Sequence, residues 1–134
     1  MASDDEMARI AYEHRVYQGQ LQDLQRQAQS AQAAIAEISA TAEGIRSLPQ
    51  VGGEGTLMGL GAGTFTAVSL RDRNKILVEV GAGVFVEKSA EETVETMDER
   101  RKRIEGILEK LGTSMEAVSR RLEALEEKAE ALGQ

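Results

Sequence analysis

The sequence predicts an α+β protein, in which a long antiparallel coiled-coil hairpin has two small β-hairpins between its helices. Three observations predict this fold. Two separate blocks keep apolar residues at alternating spacings of three and four, the repeat of packed coiled-coil helices. The block between them consists of short β-branched runs separated by glycines, which is typical of strands. Within that block the tripeptide Gly-Ala-Gly occurs twice.

The first repeat predicts a coiled-coil helix over residues 3–48. Its a and d positions are Met7, Ile10, His14, Tyr17, Leu21, Leu24, Ala28, Ala31, Ile35, Ile38, Ala42 and Ile45. Ser3 with Glu6 fits the S-x-x-E capping box, which predicts the start of the helix. Pro49 predicts its end, and the glycine-rich residues 51–55 are expected to form a flexible exit.

The second repeat predicts a helix over residues 89–132, with Ser89 and Glu92 as its capping box. Its a and d positions are Val94, Met97, Arg101, Ile104, Leu108, Leu111, Met115, Val118, Leu122, Leu125, Ala129 and Leu132. The repeat keeps its phase through Gly112, which favours a continuous helix over a break with Thr113 as a new cap. Both repeats span 39 residues. Equal lengths, each roughly 60 Å at 1.5 Å per residue, indicate two helices lying side by side.

The middle block, residues 56–88, contains an internal duplication of one hairpin. Each copy has a strand, a Gly-Ala-Gly turn and a second strand, with Phe65 or Phe85 two residues after the second glycine. Glycine supplies the positive φ angles that tight hairpin turns require. The predicted turn glycines are Gly61, Gly63, Gly81 and Gly83. A polar turn over residues 71–74 separates the copies.

A phosphate-binding loop is the alternative interpretation of these glycines. A dinucleotide fingerprint requires a third glycine where this chain has Thr66 and Val86, and a helix where a strand follows. The P-loop sequence Gly-Lys-Ser/Thr is absent. The pattern therefore favours hairpin turns, with no nucleotide cofactor.

Four short strands alone would leave unpaired edges and bury little apolar surface. Strands from other subunits, closing an intersubunit β-barrel, would remove those edges. The middle block is therefore predicted to be an oligomerisation module. The residues predicted for it are Leu57, Leu60, Phe65, Val68, Leu70, Ile76, Val78, Val80, Val84, Phe85 and Val86.

Composition excludes several classes of function. The chain has no Cys and one His, so thiol chemistry and Cys- or His-cluster metal sites are excluded. The net charge is −7, and the basic cluster Arg100–Arg103 lies among acidic residues, so nucleic-acid binding is not expected. An apolar run long enough for a membrane span is absent, and the first residues lack the apolar core of a secretory signal. A cytoplasmic protein that is not an enzyme is expected.

The order helix, two hairpins, helix, together with "LGAGTF…VEVGAGVFVEKS", resembles archaeal prefoldin alpha subunits. The resemblance implies one prefoldin-like domain over residues 1–134. It also implies a hexamer of two alpha and four beta subunits, whose hairpins form a double β-barrel. The ends of the coiled coils would hold non-native polypeptides and deliver them to a group II chaperonin, without ATP.

The client-binding residues are expected where the two chain ends meet, at the tip of the coiled coil. Tyr12 and Val16 lie at f and c positions, on the solvent side of the coil, and frayed terminal turns would expose residues of the seam. The predicted client contacts are Met7, Ile10, Tyr12, Val16, Leu125 and Leu132. Surface apolar residues without a role are the alternative. His14 at an a position is predicted to set the helix register.

Two other functions compete with this interpretation. A structural coiled-coil adaptor that binds one folded partner would have the same architecture and differ in selectivity. An enzyme using the glycine turns would need a nucleophile, a metal set or a phosphate-binding lysine, and the sequence offers none of these sets.

Overall fold

The structure is a computed structural model, and it describes residues 2–51 and 55–134. Its contacts divide the chain into two compact units. Met1–Ile35 with Arg103–Gln134 form the first unit, called the terminal coil below. Ala36–Lys102 form the second unit, called the hairpin module.

Two long helices form as the heptad repeats predict. Helix α1 spans Ala2–Ser47 and is followed by a 3₁₀ turn at Leu48–Gln50, while helix α2 spans Ala90–Gly133. Pro49 lies in that turn, which confirms it as the end of the first helix. Helix α2 continues unbroken through Gly112, as the unchanged heptad phase predicts. Of the glycine-rich exit predicted at 51–55, residues 52–54 lie outside the described residues.

The capping box predicted at Ser3 is wrong. Helix α1 already includes Ala2, so Ser3 lies inside its first turn. An N-cap residue needs a non-helical backbone and a helix that begins after it, and Ser3 has neither. Helix α1 is helical from Ala2 and helix α2 is helical to Gly133. Fraying of these terminal turns stays a prediction.

The terminal coil buries the predicted seam. Ile10, Ala28, Leu122 and Leu125 are buried, and the other a and d positions of this unit between Ile10 and Ala129 are half-buried. Tyr17 of α1 meets Arg121 of α2, with the guanidinium 5.9 Å from the ring centroid. His14, earlier in α1, meets Glu126, later in α2, so the helices run antiparallel in this unit. Heptad patterning therefore decides which face of each helix is covered.

The hairpin module has a small apolar core between α1, α2 and one strand. Ala42, Ile45 and Met97 are buried at its centre. The partly buried residues packed against them are Ile38, Ile76, Ala90 and Val94. Since Ile76 begins the third strand, this core fixes that strand on the helices.

In the part of the chain that the structure describes, four strands form two separate antiparallel hairpins, as the duplication predicts. The strands are β1 (Thr56–Gly61), β2 (Thr64–Val68), β3 (Ile76–Gly81) and β4 (Val84–Lys88). Gly59 pairs with Phe65 in the first hairpin, and Glu79 pairs with Phe85 in the second, so the two registers correspond residue by residue. Each hairpin has a register shift just before its turn, at Leu60 in the first hairpin and at Val80 in the second.

The Gly-Ala-Gly segments form tight turns, and this prediction is confirmed. Gly63 has φ 76° and Gly83 has φ 75°, values that glycine adopts without steric cost. The alanines before them also have positive φ, 50° at Ala62 and 49° at Ala82. Positive φ at both central residues is the signature of a type I′ turn, which suits the twist of a two-residue hairpin.

The start of α2 is capped from two directions. Ser89 and Glu92 form the predicted capping box: the amide of Glu92 donates to Ser89 Oγ at 3.1 Å, and the amide of Ser89 donates to Glu92 Oε1 at 3.2 Å. The backbone hydrogen bond from Ser89 is the main reason why the pKa of Glu92 lies below its ordinary value of 4.5. From the loop between the hairpins, Asn74 Oδ1 accepts the amide hydrogen of Ala90 at 3.0 Å.

Candidate functional site

An apolar recess opens between the two helices of the terminal coil. Its lining residues are Met7, Ile10, Ala11, His14, Arg15, Leu125, Glu126 and Ala129, and its volume is about 460 Å³. Ile10 and Leu125 are buried, at 8% and 5% exposure, and form its inner wall. Ala11 and Ala129 leave space where a larger side chain would fill it. The recess therefore presents an apolar wall to solvent, with charged groups at its margin.

His14 and Glu126 join the two helices at this recess. His14 Nε2 lies 3.0 Å from Glu126 Oε1, and the His14 side chain is 25% exposed. A polar residue at an a position that bonds to the facing helix disfavours other registers, since a shift would leave it unpaired. The role of His14 in setting the register stays a prediction.

The six predicted client contacts fall into two groups. Met7, Tyr12, Val16 and Leu132 are exposed, and Tyr12 is the most exposed of them at 63%. Ile10 and Leu125 are instead buried and line the recess. Tyr12 and Val16 are four residues apart on α1 and so share one face of the helix.

The hairpins expose most of the apolar residues predicted for oligomerisation. The exposed ones are Leu57, Leu60, Phe65, Val80, Val84, Phe85 and Val86, and sequence reasoning missed the exposed Met58 and Leu77. Val68, Leu70 and Ile76 are half-buried. Residues 55–70 contain no charged side chain. An exposed, uncharged apolar surface of this kind is typical of the centre of a subunit interface.

One face of the second hairpin packs against the helices. Val78, predicted for oligomerisation, is buried at 5% exposure, whereas its neighbour Leu77 is 68% exposed on the opposite face. Arg100 donates a hydrogen bond of 2.7 Å to the carbonyl of Glu79, and Lys88 Nζ donates one of 3.0 Å to Thr96 Oγ1. One face is thus occupied within the chain and the other remains available.

Within the described ranges, no group of three His, Cys, Asp or Glu side chains is placed to hold a metal ion. In the same ranges, none of the helices has the length and apolar character needed to cross a membrane.

Comparison with known proteins identifies the family. The family model described as "Prefoldin subunit" matches residues 17–134. The prefoldin subunit alpha of Methanosarcina barkeri is 31% identical over 98% of this chain and 94% of its own length. That of Pyrococcus horikoshii is 28% identical over 98% of this chain and 90% of its own length.

A solved structure shows the same fold. The cryo-EM structure of filamentous PFD from Methanocaldococcus jannaschii superposes with a TM-score of 0.74 at 22% identity, covering 84% of this chain and 93% of that one. Prefoldin subunits are chaperone components that work as oligomers and are not enzymes. The chain belongs to the prefoldin subunit family and groups with its archaeal alpha subunits.

Proposed function

We propose that this chain assembles with beta-class subunits into a cytoplasmic hexamer of two alpha and four beta subunits. The hexamer captures non-native polypeptides and delivers them to a group II chaperonin, without using ATP. The single observation that supports capture is the set of exposed apolar side chains on the terminal coil, at Met7, Tyr12, Val16 and Leu132.

Assembly through the hairpins is supported by their exposed edges and apolar faces. Within the described residues each hairpin is a two-stranded sheet, so neither of its outer edges is paired with a further strand there. Leu57, Phe65, Leu77 and Phe85 are all more than half exposed. A barrel closed by strands of other subunits would pair those edges and cover these side chains together.

Capture of unfolded chains is supported by the chemistry of the terminal coil. Tyr12 offers a large amphipathic surface, and Met7 is unbranched and adapts to irregular partners. Contacts of this kind depend on apolar area rather than on a fixed shape, which suits clients without a folded structure.

The first experiment measures the mass of the complex by light scattering after size exclusion. The chain is examined alone and after mixing with an archaeal beta-class subunit. We expect a defined hexamer only in the mixture. A stable dimer that is indifferent to the beta subunit would contradict the proposed assembly and favour the structural adaptor.

The second experiment tests capture. The assembled complex should suppress aggregation of several unrelated denatured proteins, whereas an adaptor would act on one partner alone. Replacing both Tyr12 and Val16 by Ser should weaken suppression and leave the hexamer intact. Ile107→Ser is the matched control, because Ile107 is an exposed apolar residue of the same unit outside the recess and the predicted contacts. If the double variant suppresses aggregation as well as the wild type does, Tyr12 and Val16 are not client contacts.

A further inference from the structure

We propose that the recess of the terminal coil receives an apolar side chain of a client segment in which Lys or Arg flanks that side chain. The inference rests on the proposed capture of non-native polypeptides and names the class of segment that this chain prefers.

The shape of the recess favours insertion of one side chain. Ile10 and Leu125 form a buried apolar wall, and Ala11 and Ala129 lack the atoms that would otherwise fill the space. The volume of about 460 Å³ is within the range of small ligand pockets. An apolar side chain entering it would leave water and cover the wall, which is favourable in proportion to the area covered.

The charge around the recess favours a basic flank. Residues 2–15 and 123–134 have eight carboxylates and three basic side chains, a net −5 out of −7 for the whole chain. Glu126 lines the recess. Glu6 and Glu13 lie four and three residues from Ile10, and Glu130 lies four residues from Glu126, so they share these helix faces.

The basic groups nearby do not reverse this balance. Arg15 lines the recess, and Arg9 and Lys128 are on the same segments. Glu126 keeps acceptor capacity beyond its contact with His14, because a carboxylate has about four lone-pair sites. A cation within about 8–10 Å of these carboxylates is attracted at moderate salt, and an anion is repelled. Arg15 and Glu126 line the recess with opposite charges, so the acidic excess lies in the flanking turns of the two helices. Apolar insertion thus supplies affinity, and this acidic excess selects among apolar segments.

A peptide pair tests the selection in the assembled complex. Both peptides contain the same photoreactive phenylalanine analogue, flanked by two Lys in one and by two Glu in the other. Mass spectrometry measures the yield of peptide cross-linked to this chain, so peptide cross-linked to beta subunits is not counted. We expect about 3–10-fold more cross-linking with the Lys peptide at low salt, and a ratio near one at about 0.5 M salt. Equal yields at low salt would overturn the inference.

A variant that fills the recess tests the location. Ala129→Leu adds apolar volume to the recess, so it should raise Tm and lower cross-linking of the Lys peptide several-fold. Ala124→Leu is the matched control, because Ala124 is exposed on the same helix and does not line the recess. Undiminished cross-linking in Ala129→Leu would overturn the inference. Loss of chaperonin association with unchanged peptide binding would also overturn it and assign the recess to the chaperonin.

The two proposals fail in different ways. If the wild-type complex suppresses aggregation but cross-links both peptides equally, capture stands and the selection is wrong. If it neither suppresses aggregation nor cross-links either peptide, the proposed function is wrong and the inference with it.

Discussion

Arg100 of α2 donates a hydrogen bond of 2.7 Å to the backbone carbonyl of Glu79, in the middle of β3. The bond joins the backbone carbonyl of a strand residue to the side chain of a helix residue. Together with buried Val78 on the same strand, it holds the second hairpin against α2. The first residue of the basic cluster Arg100–Arg103 therefore has a structural partner within the chain.

Removing the Arg100 side chain should loosen the second hairpin. Arg100→Ala eliminates a charge-assisted hydrogen bond, and we expect a loss of about 1 kcal/mol in the free energy of unfolding, with faster amide exchange in β3. Arg103→Ala, at an exposed position of the same helix, is the control and should change neither quantity. Slow exchange in β3 of the Arg100 variant would show that apolar packing alone holds the hairpin.

Adjacent residues of β3 should respond differently to the same substitution. Val78→Ser places a hydroxyl in an apolar site and removes buried methyl groups, so we expect a loss of about 1–3 kcal/mol in the unfolding free energy of the isolated chain. Leu77→Ser should leave that free energy within about 0.5 kcal/mol and reduce hexamer formation with beta subunits. Denaturant titration and light scattering measure the two effects. Normal hexamer formation by Leu77→Ser would exclude its face from the interface.

The cap of α2 should weaken in acid. The pKa of Glu92 is lowered in the folded chain, chiefly by the Ser89 amide, so its stabilising effect is complete above the ordinary value of 4.5. The effect is lost as the pH falls through the lower, folded pKa. In Glu92→Gln this titration is removed, so the Tm difference between wild type and variant should shrink below pH 4.5. A Tm difference that stays constant below pH 4.5 would show that the charge of Glu92 does not contribute to the stability of the cap.

The alanines at positive φ offer a route to higher stability. Ala82→Asn creates the Asn-Gly pair favoured in type I′ turns, so we expect a gain of about 0.5–1 kcal/mol in the free energy of unfolding. Ala82→Val should act in the opposite direction, since a β-branched residue tolerates this region poorly. Thermal unfolding measures both. A lower Tm in the Asn variant would contradict the assigned turn.

The sequence by itself predicted the helices and the duplicated hairpin. Apolar side chains at a 3.5-residue period can be buried together only along a coiled-coil seam, so the covered face follows from the pattern. Gly63 and Gly83 mark the turns because their backbone conformation is costly for other residues. The boundary at Ser3 was missed, since a short capping motif also occurs inside helices that continue past it.

Only the tertiary structure decided which predicted site residues are accessible. Ile10 and Tyr12 are both apolar residues near one end of α1, yet the first is a recess wall and the second is exposed. Val78 and Val80 belong to one strand, but packing on the helices buries the first and leaves the second exposed. The recess depends on Ala11 of α1 and Ala129 of α2, two residues that lie more than 100 positions apart in sequence. Local patterns specify periodicity and turns, whereas accessibility depends on which distant surfaces meet.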